Sequence, residues 1–214
     1  MLRMTDDFSL TITNLIHMDF SSPIVLENSR VRLRPLELTD FEALKAVAMD
    51  ADLWQYTLTR ADDAVSLAAY LRQAVEAREQ GLRYPFVIID RETGELAGST
   101  SYYSVLEPDQ RLSIGYTWVG TKFQRSGLNR ACKHLLLSYA FDTLSYERVE
   151  LETDARNHKS RTAMARMGAT EEGLLRSHRP TQGGIRRDTV IFSVIRSDWS
   201  GLRQSVFQEF EARG

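Results

Sequence analysis

Hydrophobic positions along the chain follow two periods, and the points where the period changes divide it into elements. Val31 and Leu33 alternate with Arg32 and Arg34, which predicts a strand over 31–36 with Pro35 near its end. Helical spacing follows. Phe41, Leu44 and Ala48 predict a helix over 40–49 capped by Thr39. Val65, Leu67, Leu71 and Val75 predict a second, capped by Asp62 or Asp63 and stopped at Gly81. The period then shortens. Three antiparallel strands are expected at 84–90, 96–105 and 111–119, joined by turns at Glu92-Thr93-Gly94-Glu95 and Glu107-Pro108-Asp109. Leu128, Cys132, Leu135, Leu136 and Tyr139 form one face of a helix reaching to about 144. Val149, Leu151 and Thr153 alternate with acids in a strand over 148–153, and a short helix over 157–167 ends at Gly168. Strands at 170–179 and 186–195 read as a hairpin across Gln182-Gly183-Gly184, and a last helix capped by Ser197 runs through Trp199, Leu202, Val206 and Phe210. Residues 1–29 are mixed, with 8–16 legible as a short helix or a strand.

The strand, helix and strand between 111 and 153 form a βαβ crossover, so those two strands should run parallel. The expected fold is therefore α/β, a mixed sheet in one domain. Antiparallel strands come first, a parallel pair with its crossover lies at the centre, and a hairpin closes the sheet. The domain is expected over 30–196, with an N-terminal extension at 1–29 and a C-terminal helix at 197–214. A hydrophobic fraction of 43%, a charged fraction of 26% and a net charge of -2 are those of an ordinary globular protein. They give no reason to expect nucleic acid or a membrane as partner. The single Cys132 lies on an apolar helix face and reads as core rather than nucleophile. With no apolar run long enough to span a bilayer and no basic, apolar leader, the expected location is cytoplasmic.

The junction at 120–129 carries the first candidate chemistry. A strand ends, a polar turn with Gly127 follows, and a helix begins. The first N–H groups of that helix have no partner inside it and make an anion site, with phosphate the usual ligand. Gly127 allows close approach of a ligand, and Arg125 adds positive charge. By spacing alone, an ordinary turn fits as well.

Gln124-Arg125-Ser126-Gly127-Leu128-Asn129 resembles the Q/R-x-x-G-x-G/A pyrophosphate loop of the GCN5-related N-acetyltransferases, with Asn129 in place of the last small residue. Asp154-Ala155-Arg156-Asn157-His158-Lys159-Ser160 and Met167-Gly168-Ala169 resemble the downstream N-x-x-S…G-F/A segment, in the form typical of the branch that contains the ribosomal-protein N-terminal acetyltransferases. The resemblance spans about 31–195. It implies acetyl-CoA as co-substrate, no metal, and an amine-bearing acceptor, either a peptide N-terminus or a small molecule. Gln124, Arg125, Ser126, Gly127, Leu128 and Asn129 would hold the pyrophosphate. A bulge should splay the first strand of the parallel pair from the second, so that the pantetheine arm pairs with backbone at Tyr116, Thr117, Trp118 and Val119. Trp118 also reads as core.

Asn157 would bind the pantetheine, cap a helix, or do both. Glu152, five residues before it, matches the family's proposed base, with Glu150 in reserve; each also reads as a solvated strand acid. Glu150, Glu152 and Asp154 together form an acidic strand suited to a cationic acceptor. Many family members place a Tyr seven residues after the Asn to protonate the leaving thiolate, but here that residue is Met164. Ser160 takes the role by resemblance, or is plain helix surface. His178 could line the acceptor site or lie on the surface. A non-catalytic acyl-CoA-binding module is the alternative function, and a homodimer through the last hairpin and helix is left open.

Overall fold

The computed structural model describes residues 17–181 and 184–211. In chain order the strands and helices are β1 (Leu26–Glu27), β2 (Val31–Pro35), α1 (Phe41–Ala48), α2 (Ala64–Glu79), β3 (Arg83–Asp90), β4 (Leu96–Leu106) and β5 (Arg111–Val119). They continue with α3 (Leu128–Ser138), β6 (Arg148–Asp154), α4 (His158–Arg166), β7 (Thr170–Pro180), β8 (Arg186–Ile195) and α5 (Arg196–Ser205). All eight strands form one sheet in the order β1-β2-β3-β4-β5-β6-β8-β7. Every neighbouring pair is antiparallel except β5 and β6, the pair joined by the α3 crossover.

Both faces of the central strands are covered, and alternation decides what each face meets. On β4, Ser101 accepts a hydrogen bond from Arg83 Nε on the α2 side, while its neighbour Tyr102 donates to the Leu136 carbonyl of α3. Sequential buried residues on β3 therefore point into two different packing layers, which is why β3 is buried along most of its length.

The sequence-based boundaries hold to within a few residues for the strands, and the differences lie in the caps. Asp63 caps α2 by accepting from the Val65 and Ser66 N–H groups. Thr39 caps nothing: a short 3-10 turn over Leu38–Asp40 precedes α1, and the Asp40 carboxylate takes the Glu37 N–H while also pairing with Arg34. Ser197 likewise sits inside α5, which starts at Arg196 with no side-chain cap and ends at Ser205, so that Val206 lies past its end and Phe210 in a separate 3-10 turn. The helix expected to reach 144 leaves the α-helical path at Ser138 and ends in a π-helical turn over Tyr139–Thr143.

Both flanks of the domain contribute to its core. Met18 and Ile24 are buried, and β1 pairs with β2. Trp199 and Phe207 pack around His134 of α3, whose Nε2 lies 2.8 Å from Glu211 Oε1. The element read at 8–16 lies outside the described residues, as do Gln182 and Gly183 of the last turn.

Candidate active site

β5 and β6 are hydrogen-bonded only from Arg111↔Arg148 to Ile114↔Leu151. Beyond that point the strands part, and the cause is local. Between the Ser101↔Gly115 and Ser99↔Trp118 pairs β5 carries one residue more than β4, and Tyr116 takes a left-handed conformation with φ 50°. This is a β-bulge, which bends its strand and ends pairing. Gly115 permits it, because a Cβ there would lie 2.6 Å from the Tyr103 ring. The parted strands open a cavity of about 1130 Å³ with walls from β5, β6, α3 and α4.

At one end of the cavity lies the loop before α3. Arg125 and Gly127 are both left-handed, with φ 62° and 85°, and Ser126 between them is not, an alternation that turns successive N–H groups to one side. The Gln124 side chain is tied back to the Val119 carbonyl at 3.1 Å, and the Ser126 hydroxyl to the Phe123 carbonyl at 2.7 Å. Gly127 serves as N-cap of α3 without any side-chain cap. The first bond into the helix is Ala131 N–H to Gly127 carbonyl, so the Gly127, Asn129 and Arg130 N–H groups have no partner among the described residues. Buried Leu128 anchors the helix start.

The opposite wall is β6 and the start of α4. Asn157 is the N-cap of α4, and its Oδ1 accepts from the Ser160 N–H at 3.0 Å, which leaves its Nδ2 for another partner. Ser160 lines the cavity, and its hydroxyl is unpaired among the described residues. Met164 also lines it, a thioether that cannot supply a proton.

Glu152 faces the cavity but is not a lone acid. Its Oε1 takes Arg187 at 3.1 Å and Arg179 at 3.1 Å, and Oε2 has no partner among the described residues. Arg179 and Arg187 lie directly opposite one another on β7 and β8, an arrangement that like charges oppose and that a shared carboxylate offsets. The expected acidic strand is thus corrected. Glu150 is held by Arg148 at 2.8 Å and Arg111 at 3.4 Å, and Asp154 is held bidentately by Arg156, whose guanidinium lowers its carboxyl below the usual range. A bare acidic surface is absent because each acid has an arginine from a neighbouring strand or turn.

Trp118 meets both expectations for it: it lines the cavity, yet is 5% exposed, packed on Trp54 with ring centroids 5.2 Å apart, and donates to the Tyr70 hydroxyl. Tyr116 stands 41% exposed at the bulge. Thr117 lines the cavity on its α3 side, where its Oγ1 contacts Thr100 at 2.8 Å and accepts from Lys133 Nζ at 2.9 Å. His178 does not line the cavity.

The sequence reading missed three cavity residues. Lys133 was masked by its place among apolar residues of α3; burial pushes its amine down to about 8. Arg187 is buried on a strand whose partners only the sheet order reveals. Tyr103, on the inward face of β4, is a phenol that burial and nearby Glu152 push up. None of the three leaves a signal in the sequence, because each enters the cavity only through the strands and helices that lie beside it in space.

The sequence model of the acetyltransferase (GNAT) domain matches residues 30–170. An uncharacterized N-acetyltransferase, p20, of Bacillus licheniformis is 25% identical over 177 residues, covering 82% of this chain and 98% of its own. A crystal structure of a GCN5-related N-acetyltransferase from Brucella melitensis superposes with TM-score 0.82 at 26% identity, covering 91% of this chain and 88% of that one. A ribosomal-protein-S5-alanine acetyltransferase from Vibrio fischeri shares the fold, with TM-score 0.66 at 21% identity over 82% of this chain and 98% of that one.

Proposed function

The chain belongs to the GNAT acetyltransferase family, and from that premise we propose that it moves the acetyl group of acetyl-CoA to a primary amine that carries no second positive charge, such as a peptide N-terminus. The observation that carries this reading is the cavity between parted parallel strands, with unpaired amide N–H groups at one end and a half-satisfied carboxylate at the other. The fit to acetyl-CoA rests on chemistry. A diphosphate needs donors, and the Gly127, Asn129 and Arg130 amides are donors without acceptors among the described residues, beside the helix dipole and Arg125. The free edge of β5 between Tyr116 and Val119 offers backbone groups to the amides of a pantetheine arm, and Asn157 lines the same cavity with its Nδ2 unpaired among the described residues.

Acetyl-CoA supplies an activated acyl carbon on a thiol leaving group. The amine must lose a proton before it can attack, because a primary amine with a pKa of about 8–10 is largely charged near neutrality. Glu152 Oε2 takes that proton, directly or through water, while Arg179 and Arg187 hold Oε1 in place. As the N–C bond forms and the C–S bond breaks, the departing thiolate is protonated or steadied by the Ser160 hydroxyl at the first turn of α4. The cations lining the cavity disfavour polyamines and aminoglycosides, since the acids of β6 are already paired.

Thiol release from acetyl-CoA, followed with a thiol reagent over peptide N-termini, polyamines and aminoglycosides, tests the reading. Release with peptides and not with polycations is expected. Release with polycations alone would overturn the acceptor class. Binding of CoA without release from any acceptor would return the non-catalytic alternative, and no CoA binding would sink the reading as a whole.

A further inference from the structure

Among the described residues, Lys133 is the buried cavity cation that no acid answers. It is 6% exposed on α3, and among the described residues no carboxylate lies within ion-pair distance of it. Its ammonium has a single partner, the Thr117 hydroxyl at 2.9 Å, which is itself shared with Thr100. A buried ammonium normally carries a counter-charge, since taking it out of water unpaired is costly. The arginines of the opposite wall illustrate the normal case, with Arg187, Arg179 and Arg156 each on an acid.

Geometry indicates where the missing anion sits. Lys133 follows Gly127 by six residues, about 9 Å along the helix axis. Helical side chains lean back toward the N-terminus, the end of α3 at which the unpaired amides lie. Its contact with Thr117 fixes it on the cavity side, beneath the last residues of β5. On the acetyl-CoA reading above, we propose that Lys133 is a binding residue for the coenzyme's diphosphate, supplying from inside the cavity wall the positive charge that the loop amides alone do not.

Two features support this assignment. Asn129 stands where the family loop carries a small residue, so the loop of this chain departs from the pattern on the same helix that carries the lysine. The depressed basicity of Lys133 also makes the contact titratable. Its neighbour Cys132 has a thiol that burial pushes up to about 11, and the hydroxyls of Thr100 and Thr117 carry no charge. The other charged or titratable groups around the cavity are Arg125 and Arg130, Glu152 with Arg179 and Arg187, Arg156, Arg166 and Asp52, His158 and Lys159, and the phenols of Tyr56, Tyr103 and Tyr116.

The test is calorimetric binding to the full chain of CoA, of dephospho-CoA, which lacks only the 3′-phosphate, and of pantetheine, which lacks all phosphates. Wild-type binding of CoA is the control, and its failure would count against the acetyl-CoA reading rather than against Lys133. Lys133→Met keeps the apolar stem, and should weaken CoA and dephospho-CoA alike by about 10- to 100-fold, the range for a lost charge-assisted hydrogen bond, with pantetheine unchanged. Lys133→Arg should restore CoA binding. It should also remove the decline in affinity expected of wild type as pH rises above about 8, because the remaining cavity groups are common to both proteins. Equal CoA binding by wild type and Lys133→Met would overturn the proposal. So would a loss that spares dephospho-CoA, or one that extends to pantetheine, since either places the contact elsewhere on the ligand.

Discussion

The two walls of the cavity carry charge in opposite states. On β6, Glu150, Glu152 and Asp154 are each bound to at least one guanidinium from a neighbouring strand or turn, so that wall is electrostatically closed. On the α3 side, three backbone N–H groups and a buried ammonium face the cavity with no acid among the described residues. A wall satisfied within the chain is structure first, and chemistry only where a lone pair is left over, as at Glu152 Oε2. A wall left unsatisfied costs stability, and that cost is recovered only when a ligand of the missing charge arrives.

The largest effect should come from opening the closed wall. Glu152→Gln is expected to lower kcat by about 10²- to 10⁴-fold, the range for loss of a general base, with CoA affinity within about twofold of wild type. The same change leaves Arg187 buried without its carboxylate, so the urea midpoint should fall as well. A lowered midpoint with kcat retained would assign Glu152 to bridging the two arginines and remove it from the chemistry.

Next in size is an effect of opposite sign on the unsatisfied wall. Lys133→Met should stabilise the ligand-free protein at pH 7 by on the order of 2–3 kcal/mol in urea denaturation, from an amine depressed from 10.5 to about 8. The folded protein releases the proton near 8 and the unfolded chain near 10.5, so the penalty is full below 8 and fades as pH rises between the two values. The advantage of the variant should shrink over that window. A variant less stable than wild type at pH 7 would mean that the Thr117 contact outweighs desolvation.

The smallest effect belongs to Glu150→Gln. Its arginines are each about a third exposed, at 30% and 33%, so screening limits the loss to less than about 1 kcal/mol, with kcat unchanged. A large drop in turnover would move the base from Glu152 to Glu150 and break the distinction between them.

Most of the sheet was legible in the chain itself, because alternation at Val149, Leu151 and Thr153 or at Val31 and Leu33 follows directly from which side of a strand meets the core. The loop at 124–129 was equally plain, since a helix start with a left-handed glycine is a local matter of backbone conformation. Asp63 as a cap and Cys132 as core were decided by residues a few positions away. Long-range charge could not be read that way. Glu152 looks like a free acid until β7 and β8 bring Arg179 and Arg187 to it from 27 and 35 residues downstream, whereas Glu150 and Asp154 each have one arginine only two residues away in the chain. Lys133 is one polar residue of α3 beside its apolar stripe until the parting of β5 from β6 places it in a cavity wall. The sequence by itself determined the elements, their order and the glycine turn before α3, because those depend on neighbours along the chain. Which charges are answered and which await a ligand was decided only by the tertiary structure, because Coulomb interactions depend on distance in space and on burial, and both exist only once the sheet has closed.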